Sequence, residues 1–296
     1  MSSASTARPR VESFFHPDTG TFTHVAYEQP GAAAVIIDPV LDYDATSAAT
    51  STASADAVLA FVRAQRLDVG WILETHAHAD HLSAAGYLHD VLGAPVAIGS
   101  GIVEVQARFG PLFGLGEAFV ADGRQFDRLL HDGDTLRLGG LDVRVLATPG
   151  HTYDSLTYLI GDAAFVGDTV FAPDVGTSRT DFPGGDAHRL YASIRKIIAL
   201  PADTRLFLCH DYPGGRREAT AECSVAAQCA GNIHVGGDVA EAAFVAMRQA
   251  RDATLAIPRL ILPALQVNIC GGRLPPPDAD GVSYLRLPLN RLGGGA

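Results

Sequence analysis

Apolar and polar positions alternate in blocks along this chain, and the blocks read as strands and helices in turn. Residues 22–27 and 32–37 have strand composition, and Gln29-Pro30-Gly31 between them has turn chemistry, so a hairpin is expected. Its second strand ends at Asp38-Pro39. Residues 44–56, DATSAATSTASAD, lack periodicity and are expected as a low-complexity loop with no chemistry of its own. Helical spacing follows over 55–65, with Ser54 placed to cap it. The pattern then gives a buried strand at 69–74, a helix at 82–92 and a short strand at 95–98. Residues 109–118, FGPLFGLGEA, suit a mobile flap or a packing loop. Strands are expected at 141–146, 163–166 and 205–208, and helices at 186–200 and 239–254. From Pro258 onward Pro and Gly recur, which reads as a surface wrap. The alternation follows no strict βαβ repeat and favours one α/β domain in which two sheets lie between helices. The expected division is a disordered tail at 1–10 and a single domain at 11–296, its C-terminal wrap beginning at about 255.

Imidazoles and carboxylates fall where these strands end. Thr75-His76-Ala77-His78-Ala79-Asp80-His81 follows strand 69–74 and packs three imidazoles and a carboxylate into six residues. That donor density points to a metal. In extended chain His76 and His78 would share a side, and Asp80 and His81 would lie where the chain turns into the next helix. His151, Asp168 and His210 each follow an apolar run in the same way. Strand ends meet at one rim of a sheet, so seven donors can converge there. His16, His24, His89, His131, His188 and His234 stand alone and are read as surface or capping residues.

Composition narrows the class. The 296 residues are 47% hydrophobic and carry a formal net charge of −11 without a basic stripe, which argues against nucleic acid as partner. No apolar run is long enough to span a bilayer, and Met1 to Arg10 lacks an apolar signal core. Cys209, Cys223, Cys229 and Cys270 have no CxxC spacing and are expected as reduced thiols, hence a cytoplasmic protein. Cys209 is expected to point into the core and Cys229 to be buried and inert.

The motifs HAHADH (76–81), PGHT (149–152), GDTVF (167–171) and CHDY (209–212) resemble, in order and spacing, those of the metallo-β-lactamase superfamily. The resemblance implies an αββα sandwich with a metal site at one edge. Three segments look like the persulfide dioxygenase branch: Ser178-Arg179-Thr180-Asp181-Phe182, His210-Asp211-Tyr212, and a C-terminal set running from Phe244 through Ile257-Pro258 to Val267-Asn268. Among bacterial proteins the chain most resembles the β-lactamase-like hydrolase group. Glyoxalase II is similar over the metal motifs, but its helical C-terminal domain is not evident.

Carried over residue by residue, the branch implies one Fe(II) on His76, His151 and Asp168, with His78, Asp80, His81 and His210 orienting ligands and water around it. It implies oxidation of glutathione persulfide, or a similar small persulfide, by O2 to sulfite and the free thiol. Arg179 and Tyr212 match glutathione-contacting positions; a salt bridge from Arg179 to Asp181 or Asp174, and a packed Tyr212 ring, are the structural alternatives. Cys229 stands where the glutathione enzymes carry a further Arg. A second reading fills the site with two Zn2+, His76, His78 and His151 on one ion, Asp80, His81 and His210 on the other and Asp168 bridging, for thioester hydrolysis. A third is a persulfide- or metal-responsive binding protein without turnover. The resemblance leaves a homodimer or homotetramer open.

Overall fold

The computed structural model describes residues 8–292. The first half runs β1 (Arg10–His16), β2 (Thr21–Tyr27), β3 (Ala33–Ile37), β4 (Val40–Asp44), β5 (Ala49–Ser51) and α1 (Ala53–Ala64). It continues with β6 (Asp68–Leu73), β7 (Leu82–Ser83), α2 (Ala85–Leu92), β8 (Val96–Gly99), α3 (Ile102–Leu112) and β9 (Arg128–Leu130). The second half begins with β10 (Thr135–Leu138), β11 (Leu141–Ala147), β12 (Leu156–Ile160), β13 (Ala163–Phe165) and α4 (Ala187–Ile198). It closes with β14 (Arg205–Phe207), β15 (Glu222–Ser224), α5 (Val225–Gly231), α6 (Glu241–Asp252) and α7 (Ile261–Asn268).

Two six-stranded sheets form, ordered β1-β2-β3-β6-β8-β9 and β10-β11-β12-β13-β14-β15. Strand periodicity explains how they stack. Along β3, Val35 and Ile37 join the apolar layer between the sheets, while Ala34 and Ile36 join the layer under α1, α2, α3 and α7. Along β13, Ala163 and Phe165 face the inter-sheet layer and Ala164 faces the layer under α4 and α6. The result is the αββα sandwich expected from the motifs. The parallel strands β3, β6 and β8 are covered on both faces, which is why their sequences are nearly continuous apolar runs.

The expected hairpin is present, with β2 and β3 antiparallel and His24 opposite Ile37. Several expectations need correction. Residues 44–56 are not a featureless loop: β5 pairs with β4, and α1 starts at Ala53 with Thr52, not Ser54, at its N-cap. The segment 109–118 is partly α3, and Phe109 and Phe113 are buried, so it is a packing element. The helix after the metal motif begins only at Ala85, behind the short strand β7. β1, β4, β7, β9, β10, β12 and β15 lie outside the strands expected from sequence. Residues 1–7 of the expected tail lie outside the described residues, but Pro9 is buried and accepts a hydrogen bond from Arg205 Nη2 at 2.8 Å. The C-terminal wrap is interrupted by α7, whose face is buried in the core. Among the described residues no helix is long and apolar enough to cross a membrane.

Candidate metal centre

Four strand ends deliver the donors to one edge of the sandwich: residues 76–81 after β6, His151 after β11, Asp168 after β13 and His210 after β14. Two glycines make the approach of these loops feasible. Gly150, at φ +139°, has the α4 backbone at Leu190 where a Cβ would sit. Gly167, at φ +50°, would place a Cβ 2.8 Å from Thr75 Oγ1.

All seven donors come together, but in two groups. His76, His151 and Asp168 form one, and His78, Asp80, His81 and His210 the other, the ligand atoms within each lying within 4.8 Å of one another. Segment 74–81 is bent rather than extended, so His76 and His78 are adjacent, with ring centroids 4.0 Å apart, yet fall in different groups. This differs from the sequence-based zinc partition, which put His78 with His76 and His151. Asp168 faces both groups: Oδ2 is 3.5 Å from His151 Nε2 and 4.0 Å from His76 Nε2, while Oδ1 is 3.4 Å from His210 Nε2.

Hydrogen bonds fix which nitrogen each imidazole presents. Thr75 Oγ1 donates to Asp38 Oδ2 at 2.9 Å and so accepts from His76 Nδ1 at 3.0 Å, leaving the His76 Nε2 lone pair free. His151 Nδ1 donates to the Arg179 carbonyl at 2.8 Å, which frees its Nε2 likewise. His78 turns Nε2 to Asp38 Oδ1 at 3.1 Å and to Glu74 Oε2 at 3.5 Å. Burial alone would lower the His78 pKa, but Asp38 and Glu74 outweigh it and raise it well above the ordinary value. Burial lowers His76, with His78 and His151 adding to it, and burial takes His81 down to about 4. Burial would raise Asp80, but His210 and His81 hold its carboxyl below the usual range. His76 and His81, held neutral, and Asp80, held ionised, are thus in the forms in which a cation is bound, whereas Asp38 and Glu74 favour the protonated form of His78.

The donor set fits a metal. His76 Nε2, His78 Nδ1, Asp80 Oδ2, His81 Nε2, Asp168 Oδ1 and His210 Nε2 are buried without a hydrogen-bond partner. Each such group costs about 1–3 kcal/mol when left unsatisfied, and a bound cation removes that cost. The cluster and the fold together indicate a metal.

Residues that the sequence reading did not assign hold this centre in place. Asp38, at φ +51°, bonds the Thr75 backbone N–H at 2.7 Å as well as His78. It too follows an apolar strand, so the signal that marked His151 and Asp168 was present at β3. Asp154 accepts from Ala77 N at 2.7 Å. Asn268, on α7, donates to the carbonyls of His78 and His81 at 2.7 and 2.8 Å, so part of the expected wrap pins the donor loop.

Other residues are placed differently from expectation. His24 and His234 are buried, not superficial: His24 bonds Leu208 O and Ser13 Oγ, and His234 Nδ1 accepts from Thr177 N. Cys209 is buried, but its thiol lies beside Asp38 and His78 and beside Asp168 and His210 rather than in apolar core, and burial with those carboxylates raises its pKa. Cys229 is exposed on α5, so it is not the buried thiol expected. All four cysteines are free.

A pocket of about 340 Å³ opens on His151 and Asp168, with Phe171, Phe182 and Leu255 as apolar wall. Arg179 and Tyr212 both line it. Arg179 Nε and Nη2 are each 2.6 Å from Asp181 oxygens, and Nη1 bonds Ala256 O at 2.7 Å, which is the salt-bridge alternative named from sequence. Tyr212 is 46% exposed, and its ring stacks on His210 with centroids 5.7 Å apart and meets Phe171 edge-on. Arg248 and Arg251 of α6 also line the pocket. Cys229 is not among the lining residues.

The sequence profile of the Metallo-beta-lactamase superfamily matches residues 19–210. The chain is 51% identical to a probable metallo-hydrolase of Burkholderia pseudomallei, over 95% of this chain and 99% of that one. It is also 51% identical to the beta-lactamase hydrolase-like protein of Xylella fastidiosa, over 97% of itself but 66% of that longer chain. Identity to the mitochondrial persulfide dioxygenase ETHE1 of Homo sapiens is 33%, over 69% of each chain. The crystal structure of ETHE1 from Myxococcus xanthus superposes with a TM-score of 0.71 at 29% identity, covering 89% of this chain and all of the other.

Proposed function

The chain belongs to the metallo-β-lactamase superfamily, and we propose that within it this protein oxidises a low-molecular-weight persulfide with O2. The observation that carries this reading is the convergence of His76, His151 and Asp168 as one three-donor group, with Asp168 Oδ2 turned to both imidazoles. Two imidazoles and one carboxylate with positions left open are the ligand set of non-haem Fe(II) oxygenases. Bound there, about one Fe(II) per chain supplies the redox chemistry that O2 needs and that Zn2+ lacks. The reaction balances as RSSH + O2 + H2O → RSH + H2SO3, with glutathione persulfide the first substrate to test. The 33% identical relative named a persulfide dioxygenase supports this reading.

The chain's own groups would do the following. Thr75 and the Arg179 carbonyl keep the Nε2 atoms of His76 and His151 deprotonated and aimed at the metal position. The sulfur end of the substrate enters over His151 and Asp168, which line the pocket floor. Phe171, Phe182 and Leu255 exclude water beside them. His78, Asp80, His81 and His210 orient water and neighbouring ligands.

A second reading, a binuclear zinc thioester hydrolase, is favoured by one observation: Asp168 directs its two oxygens at two separate donor groups. O2 uptake by anaerobically Fe(II)-loaded protein, with sulfite assayed after glutathione persulfide is added, tests the first reading. Uptake with matching sulfite is expected. No uptake, together with thioester hydrolysis by Zn-loaded protein, would overturn it in favour of the second.

A further inference from the structure

Three cations line the pocket, and their pairing differs. Arg179 has each of its three guanidinium nitrogens engaged by Asp181 or the Ala256 carbonyl. Arg248 is 1% exposed; its Nε is 2.9 Å and its Nη2 2.6 Å from Asp252 Oδ1, and its Nη1 donates to Thr177 O. Arg251 has no acidic side chain within salt-bridge distance among the described residues. Two of the three positive charges are thus neutralised inside the pocket wall, and one is left facing whatever enters. A second unmatched polar group lies in the same wall: Ser178 is 2% exposed, lines the pocket, and its Oγ has no hydrogen-bond partner.

The fold explains why Arg251 is there. Arg248 and Arg251 are three residues apart on α6 and so share a helix face. Asp252 accepts from Thr180 N at 2.8 Å and Thr180 Oγ1 at 3.0 Å, which ties the last turn of α6 to the loop carrying Ser178 and Arg179. The Arg248–Asp252 pair is therefore a structural clamp, and Arg251, one position before Asp252, is the side chain the clamp presents.

We infer that Arg251 is the specificity-determining residue of this pocket, receiving a carboxylate of the substrate, with Ser178 on the same wall as a further donor to it. The substrate is then an anionic small thiol derivative whose sulfur lies at the His151 and Asp168 end. This rests on the proposed function for the sulfur end, while the carboxylate end stands on the arginine pairing alone. A guanidinium meets a carboxylate through paired charge-assisted hydrogen bonds, which a glutamine cannot reproduce. A volume of about 340 Å³ admits such a molecule but no folded partner.

The test is anaerobic calorimetric titration of the Fe(II)-loaded protein with glutathione and, separately, with glutathione diethyl ester, whose carboxylates are masked. The wild type should bind glutathione at least about tenfold more tightly than the ester, a difference of about 1.4 kcal/mol. Arg251→Gln should lose that preference while leaving ester binding unchanged, and Ser178→Ala should reduce it. Retention of the preference in Arg251→Gln, or its absence in the wild type, would overturn the assignment. Because O2 uptake is measured separately, a protein that discriminates by carboxylate but consumes no O2 supports Arg251 and removes only the persulfide reading.

Discussion

Thr75→Val tests whether a single hydroxyl sets the chemistry of the first donor. The change keeps the branched shape that packs against Gly167, so the loss is confined to Oγ1. That oxygen accepts from His76 Nδ1 at 3.0 Å and donates to Asp38 Oδ2 at 2.9 Å, both in buried surroundings. Valine leaves the imidazole N–H and one carboxylate oxygen unmatched. At about 1–3 kcal/mol for each, the metal-free protein should lose roughly 2–6 kcal/mol of stability. The imidazole also loses the contact that holds its proton on Nδ1. Groups in this orienting position are worth roughly 10–100-fold in metal affinity, and that is the expected weakening. Anaerobic competition against a chelating indicator measures the affinity, and urea unfolding of the metal-free protein measures the stability. Thr75→Ser, which keeps the hydroxyl, should restore affinity. Unchanged affinity in Thr75→Val would refute the chain from Asp38 through Thr75 to His76.

Further outcomes follow from the same geometry. His151→Ala removes a donor and leaves the Arg179 carbonyl without its partner, so metal content after gel filtration should fall further than the roughly 10–100-fold loss expected of Thr75→Val; full metal retention would remove His151 from the site. Arg248→Leu leaves Asp252 buried with only Thr180 as partner and should cost about 3–5 kcal/mol in urea unfolding, with Arg248→Leu/Asp252→Leu regaining part of it. His24 is held down to about 4 by burial, against the Leu208 hydrogen bond, so the folded state binds its proton less readily than the unfolded chain. Its contribution is complete above an unfolded pKa of about 6.5 and is lost as pH falls from there towards 4, a total of about 3 kcal/mol. His24→Gln should unfold with a shallower acid dependence across that window, and an identical pH profile would contradict the assignment.

The sequence by itself determined the donors and the class of fold. HAHADH, His151, Asp168 and His210 are legible because each follows an apolar run, and a run of that kind is a local signal. The two-sheet arrangement is legible for the same reason: the period of β3 or β13 needs no knowledge of its partner. β9 and β15, of three residues each, were not expected and are held by their pairing with β8 and β14. The tertiary structure alone decided how the donors divide, because a bend at 74–81 sends adjacent imidazoles to different groups. It alone joined Asp38, Asp154 and Asn268 to the centre across 37 to 190 positions of sequence. It also bound Arg179 to Asp181 and, among the described residues, left Arg251 without an acidic partner, a distinction invisible in composition. Which residues can ligate is a property of their chemistry, written in the chain; which of them meet is set by long-range packing and by which charges are already satisfied.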